Sequence, residues 1–163
     1  MNAIRPLFLL AATLATGLVA GTFALYAHTI MPGLRRTDDR TFVEAFRSMD
    51  RAIVNPWFIG GCFLGALAFT AVAALTHLGR PALPWIGAAL VLYAAAVAIT
   101  VVVHLPLNDA IKAAGEPGHI ADLAAVRQRF DEARWAAWNL ARTAAAILAF
   151  GCLAWSLTLA AEK

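Results

Sequence analysis

Four stretches of this chain are too long and too apolar for a soluble core. Residues 7–30 are 24 consecutive residues without Asp, Glu, Lys or Arg, and about 20 apolar residues at 1.5 Å each cross the hydrocarbon of a bilayer. Residues 143–161 are 19 more without a charge, and two further apolar runs begin at Trp57 and Trp85. In hydrocarbon the backbone must satisfy its own N–H and C=O groups, so unbroken apolar runs of this length are helices. The chain is therefore expected to be all-α: an integral membrane four-helix bundle, one membrane domain over residues 1–163. Its spans are predicted at about 7–30, 57–77, 85–105 and 138–160. The 61% apolar and 14% charged composition and the mean hydropathy of +0.71 agree, and no polar segment is long enough for a separate soluble domain. The net charge of +3 comes from basic residues in loops beside the spans, which speaks to topology and not to a nucleic-acid partner. Cys62 and Cys152 fall at different depths, so no disulfide is expected.

The first span is longer than the apolar core of a signal peptide and is read as retained. Gly17, Gly21, Ala24 and His28 recur at helical spacing, a small-residue stripe that leads to a histidine. In the first loop, Thr41-x-x-Glu44 has a capping-box pattern, and Phe42, Phe46, Met49 and Ile53 follow at helical intervals. A short interfacial amphipathic helix is expected at about 41–53, with Arg47 spaced to pair with Asp50. Pro56-Trp57 opens the second span. Tyr93, Thr100 and His104 share a face of the third, and Pro106 disfavours simple continuation of that helix, leaving Asn108 on a turn or a kinked extension. In loop three, residues 115–118 form a Gly/Pro breaker, and Asp122 is placed to cap an extension at about 122–137 that runs unbroken into span four. His77 and His119 are expected to be solvated.

At the start of span four, Trp135, Trp138, Asn139 and Arg142 fall within one face at about 100° per residue. Alternating spans bring the end of span one, the start of span two, the end of span three and the start of span four to one side. His28, Asn55, His104, Asn108, Trp135, Trp138, Asn139 and Arg142 all belong to that side. Singly, each has a structural explanation: amides cap helix ends and tryptophans form the interfacial belt. Jointly they describe a half-buried small-molecule pocket at one end of the bundle. His28 and His104 lack a third ligand at recognisable spacing, so no metal is predicted. Phosphate loops and hydrolase elbows are absent from the sequence.

The ordered set Met31-Pro32-Gly33-Leu34, Asn55-Pro56-Trp57-Phe58, Leu105-Pro106-Leu107-Asn108 and Arg134-Trp135 with Trp138-Asn139 and Arg142 resembles the anthrone oxygenase-like family of small four-span membrane proteins, long catalogued as a domain of unknown function. The resemblance covers roughly residues 17–153. It implies oxidation of an anthrone or similar hydrophobic phenolic to a quinone, with molecular oxygen as co-substrate and no metal or flavin cofactor. Its residue-by-residue carry-over reaches Asn55, Pro106, Asn108, Arg134, Trp135, Asn139 and Arg142. The chain departs from the family's common amides at Arg47 and Asp50, and His28 and His104 are its own features. On this reading His104 is the base and His28 its alternate. Arg142, with Asn139 and Asn108, stabilises and orients the oxyanion, Asn55 contributes to substrate binding, and Trp135 and Trp138 form walls.

The alternative is a non-enzymatic membrane protein that binds or helps transport a quinone-like or lipid molecule; a structural subunit packing through glycine faces is the third reading. Partners implied are membrane lipid, a hydrophobic aromatic small molecule and a second copy through the glycine-rich faces, with no nucleic acid. Ten of the thirteen basic residues belong to loops one and three and their flanks. That bias places the pocket on the cytoplasmic side of the inner membrane and both termini outside.

Overall fold

The computed structural model describes residues 4–115 and 121–161; positions 116–118 of the expected breaker, and His119, lie outside the described residues. Four helices are long and apolar enough to cross a membrane: α1 (Ile4–Leu34), α3 (Trp57–Thr76), α4 (Leu83–Lys112) and the run Leu123–Ala161. The chain is a multi-pass, all-α membrane protein. A shorter helix, α2 (Asp39–Ile53), fills the first loop. The fourth run is two helices, α5 (Leu123–Phe130) and α6 (Glu132–Ala161). The bundle closes as a ring in which α1 and α4 each pack against both α3 and α6.

The interior is built largely from small residues at helical spacing: Ala12, Ala15 and Ala20 on α1, Ala66 and Ala73 on α3, Ala89 and Ala96 on α4, Ala146 and Ala149 on α6. Small side chains let backbones approach closely, which replaces the hydrophobic driving force that lipid does not supply. Large aliphatic residues such as Leu14, Val91, Val102 and Leu140 point outward, where they face hydrocarbon. The buried Tyr93 hydroxyl donates to the Phe63 carbonyl at 2.9 Å, so the phenol ties α4 to α3 without an orphaned polar group.

Most of the predicted small-residue stripe of α1 lies away from the interior. A Cβ on Gly17 would stand 2.9 Å from the Phe150 ring, but one on Gly21 would meet nothing within 4 Å, and His28 is exposed. The buried face of α1 is instead Leu9, Ala12, Thr16, Val19 and Phe23. At the far end, the expectation of a solvated His77 is corrected: its ring is buried and Nδ1 lies 2.7 Å from the Ala73 carbonyl, at the C-terminal cap of α3.

The amphipathic helix α2 starts earlier than its capping-box pattern suggests. Asp38 is the cap: its carboxylate accepts from the Thr41 N–H at 3.0 Å and from the Thr41 hydroxyl at 2.7 Å. These bonds, the backbone one foremost, hold the Asp38 carboxyl below its ordinary range. The apolar face of α2 is covered by protein. Phe42, Val43 and Phe46 form a second core with Val126 and Phe130 of α5, Ile111 of α4, Met31 of α1 and Trp135 of α6. Phe46 and Phe130 approach to 4.5 Å between ring centroids.

Arg127 fastens this cap. Its guanidinium reaches Glu132 at 2.6 Å, Asp39 at 3.1 Å and the Thr37 carbonyl at 2.9 Å, and lies over the Phe42 ring at 4.3 Å. The expected unbroken run from 122 into span four is corrected as well. Asp122 does cap α5, accepting from Ala125 N–H at 2.9 Å. At Asp131, however, the backbone turns left-handed with φ 52, and the Asp131 carboxylate restarts the helix by accepting from Arg134 N–H at 3.1 Å.

Three of the membrane helices carry a π-helical segment at the end where α2 lies: Tyr26–Ile30 in α1, Trp57–Leu64 in α3 and Thr100–His104 in α4. A π turn adds a residue to the turn and re-aims the side chains around it; such turns are frequent at functional sites. The segment in α4 also explains how the helix passes Pro106. Leu105 N–H reaches back to the Thr100 carbonyl, and the proline, which has no N–H, sits in the first turn of the helix that follows, where none is needed.

Candidate functional site

Beneath α2, a cleft opens between α1, α3, α4 and α6. All three π segments contribute to its wall: Tyr26 from the first, Phe58, Ile59 and Phe63 from the second, Thr100 and His104 from the third. Phe46 and Asp50 close it from α2, and Phe23, Asn108, Trp135 and Arg142 complete its polar and aromatic lining. The cavity is about 100 Å³.

Trp135 is the hub. The ring is buried, with Tyr26 at 5.8 Å, Phe46 at 5.9 Å edge-on and His104 at 4.9 Å edge-on between centroids. Its indole N–H donates to Asn108 Oδ1 at 2.9 Å, while Asn108 Nδ2 donates to Asp50 Oδ1 at 2.7 Å. Lys112 Nζ lies 3.0 Å from Asp50 Oδ2. One chain of polar contacts thus runs from α6 through α4 to α2. The predicted Arg47–Asp50 pair is replaced: Asp50 is engaged by α4, and Arg47 donates to the Gly115 carbonyl.

Arg142 lies deeper, 6% exposed. Its Nε–H donates to Asn139 Oδ1 at 3.0 Å and an Nη1–H donates to Thr100 Oγ1 at 3.1 Å. The guanidinium carbon stands 4.1 Å from the Phe23 ring centroid and 5.4 Å from that of Trp135. Asn139 is itself held, its Nδ2 donating to the Phe23 carbonyl at 3.1 Å. Among the described residues no carboxylate lies within ion-pair distance of Arg142. A buried charge costs several kcal/mol, and cation–π contacts of about 0.5–2 kcal/mol each offset only part of that. Three of its five N–H donors are not engaged by these bonds, and the residue lines the cleft. His104 is equally unsatisfied: its ring is buried, Nδ1 lies 3.4 Å from the Ile99 carbonyl, and Nε2 has no partner.

The predicted site residues separate into two groups. His104, Asn108, Trp135 and Arg142 meet at the cleft, with Asn139 directly behind Arg142. His28, Asn55 and Trp138 do not reach it. His28 is exposed, with its Nδ1 2.6 Å from the Thr29 hydroxyl. Asn55 is a helix cap, accepting from Phe58 N–H and donating to the Ala52 carbonyl, both at 2.9 Å. Trp138 is 43% exposed, because at 100° per residue it stands about 60° around α6 from Trp135, past the edge of the buried stripe. Asn108 and Asn139 spend their amides on protein partners, which makes them positioning groups for Trp135, Asp50 and Arg142.

Phe23, Tyr26, Phe46 and Asp50 were missed as site residues. Asp50 and Phe46 carried a signal, a carboxylate and an aromatic on the buried side of an amphipathic helix. Tyr26 carried none, because its direction depends on the π turn that begins at it. No curated protein and no solved structure matches the chain. The family model described as anthrone oxygenase matches residues 42–152, from the first turn of α2 into the last third of α6, leaving α1 with Phe23 and Tyr26 outside the match. The match spans more than half of the chain and takes in Asp50, His104, Asn108, Trp135 and Arg142 of the cleft, so the chain belongs to the anthrone oxygenase family.

Proposed function

We propose that the cleft binds a hydrophobic phenolic of the anthrone type and that the protein oxidises it to the quinone with molecular oxygen, without a metal or flavin. The observation that carries the reading is Arg142, a buried guanidinium held by neutral acceptors and ring faces, with donors to spare on the wall of an aromatic cleft. Such a site is incomplete without an anion. An anthrone supplies one on deprotonation, since the charge of its carbanion is shared with the ring oxygen.

The steps balance without an external reductant. His104, through its unpartnered Nε2, takes one methylene proton, and the resulting anthranolate oxygen lies against Arg142. The carbanion carbon passes an electron to dioxygen and recombines with the superoxide so formed. A C–O bond results, and the peroxide takes up the proton. Loss of the second methylene proton with cleavage of the O–O bond expels water and leaves the quinone carbonyl. Electrostatic stabilisation of an oxyanion is worth about 10²–10³ in kcat per donor, and general base catalysis about 10²–10⁴. Asn139 and Thr100 hold the guanidinium, and the rings of Trp135, Tyr26 and Phe63 exclude water from the carbanion.

The test is oxygen uptake by the purified protein in detergent or nanodiscs with an anthrone: one dioxygen consumed per quinone formed, lost in Arg142→Ala and kept in Arg36→Ala. Quenching of tryptophan fluorescence by the anthrone with no oxygen consumed would replace the oxygenase reading with ligand binding or transport. We further propose the inner membrane, with the cleft on the cytoplasmic side and both termini outside, on the ten of thirteen basic residues that flank the α2 end. A reporter active only in the cytoplasm, fused after α6, is expected to be silent; strong signal would reverse the orientation.

A further inference from the structure

Asp50 is the one carboxylate among the described residues that line the cleft. It sits on α2, the element that covers the site, with its side chain 9% exposed. Asn108 Nδ2 engages one oxygen at 2.7 Å and Lys112 Nζ approaches the other at 3.0 Å. A carboxylate has about four acceptor positions, so these two contacts leave others for a ligand. Asp50 and Arg142 stand at different depths. Asn108, which holds Asp50, is eight residues along α4 from Thr100, which holds Arg142, about two turns of the helix. Tyr26 lines the same cleft, with its ring 5.8 Å from that of Trp135. The cleft therefore presents donors at its deep end and an acceptor at the covered end, with aromatic walls between.

We propose that Asp50 is a specificity-determining residue: its carboxylate accepts a hydrogen bond from a free hydroxyl on the aromatic ligand, at the end away from Arg142. The cleft then selects phenols over O-methyl ethers of the same ring system. A methyl ether has no proton to donate and sets a methyl group against a buried charge, a mismatch that sites built to bond a hydroxyl reject strongly. The inference rests on the reading of the cleft as an aromatic-ligand site. A purely structural role, tying α2 to α4 through Lys112, makes a different prediction: loss of the carboxylate would weaken every ligand alike.

The experiment is anaerobic binding of a dihydroxyanthrone and its di-O-methyl ether, read by tryptophan fluorescence, so that turnover is not required. The wild-type protein is expected to bind the phenol at least about tenfold more tightly. Asp50→Asn brings the ratio towards one by weakening the phenol, which loses its charged acceptor, and by relieving the ether, whose methyl no longer faces a charge; ether binding that is kept or tightened serves as the control for folding. Lys112→Met, which releases the carboxylate from its ion pair, raises the ratio. A ratio preserved in Asp50→Asn, an equal loss for both ligands, or a ratio that falls towards one in Lys112→Met overturns the proposal. Binding of the phenol without oxygen uptake removes the oxygenase reading and leaves this one to be judged on the ratio. If neither compound binds the wild type, both readings are removed.

Discussion

Arg142 Nε–H donates to Asn139 Oδ1 at 3.0 Å, from one turn of α6 to the turn before it. Because the Asn139 amide nitrogen is committed to the Phe23 carbonyl at 3.1 Å, the asparagine cannot flip, and its oxygen is presented to the guanidinium in one orientation only. The pair fixes where the positive charge stands without neutralising it. Asn139→Asp supplies the missing counter-ion at the loss of the amide's donation to the Phe23 carbonyl, and we expect it to keep its bond to Arg142 yet lower kcat by about 10²-fold, as loss of an oxyanion partner does. Asn139→Ala frees the arginine and removes a buried hydrogen bond, costing about 1–3 kcal/mol of stability. Denaturation and oxygen uptake measured on the two variants separate charge from scaffold: similar losses of stability and similar rates would mean that the neutral partner has no role in the chemistry.

The two predicted histidines now make opposite predictions. His104→Gln is expected to lower kcat by about 10²–10⁴, the range for a general base, with little change in anthrone affinity. His28→Gln, exposed and among the described residues bonded only to Thr29, should leave the rate within about a factor of two, since surface substitutions usually shift energies by no more than about 0.5 kcal/mol. Steady-state kinetics on both variants decide the matter, and a large loss in His28→Gln would require a proton path that bypasses the cleft.

Arg127 is the fastening of α2 over the cleft, through Asp39, Glu132 and the Thr37 carbonyl. Arg127→Met retains contact with the Phe42 ring but drops the charged bonds, and should loosen α2 by about 1.5–3 kcal/mol. Hydrogen exchange read along the backbone should quicken over residues 38–47 while α1, α3 and α4 keep their protection. Uniform protection throughout would show that the aromatic cluster alone holds the cap.

Acid should loosen the same cap from its N-terminus. The folded Asp38 carboxyl is held below its unfolded value by the Thr41 N–H and hydroxyl, so its contribution is fully present above the ordinary carboxylate pKa, about 3.9. It is lost as pH falls through the lower, folded value. Exchange at the Thr41 amide, compared with Asp38→Asn across that window, is the measurement: the wild type should accelerate relative to its intrinsic rate as pH drops, and the variant should not.

Much of this protein is decided by local composition. Uncharged runs of 19 and 24 residues must be helices in a bilayer, and four of them in alternation must bring loops one and three to one side, so that Trp135, Asn139, Arg142, His104 and Asn108 were legible as neighbours from spacing alone. What the chain could not disclose locally is rotation and partnership. Period-3.6 reasoning assumes a regular helix, and the π segments at Tyr26, Trp57 and Thr100 break that assumption where the site is built. The amphipathic face of α2 reads the same whether lipid or Phe130 covers it, and only the fold chooses Phe130. Asparagines look alike in a sequence, yet Asn55 caps a helix, Asn139 holds an arginine and Asn108 joins Trp135 to Asp50, because a hydrogen-bond partner 30 or 100 residues away is set by packing and leaves no trace in the neighbouring residues.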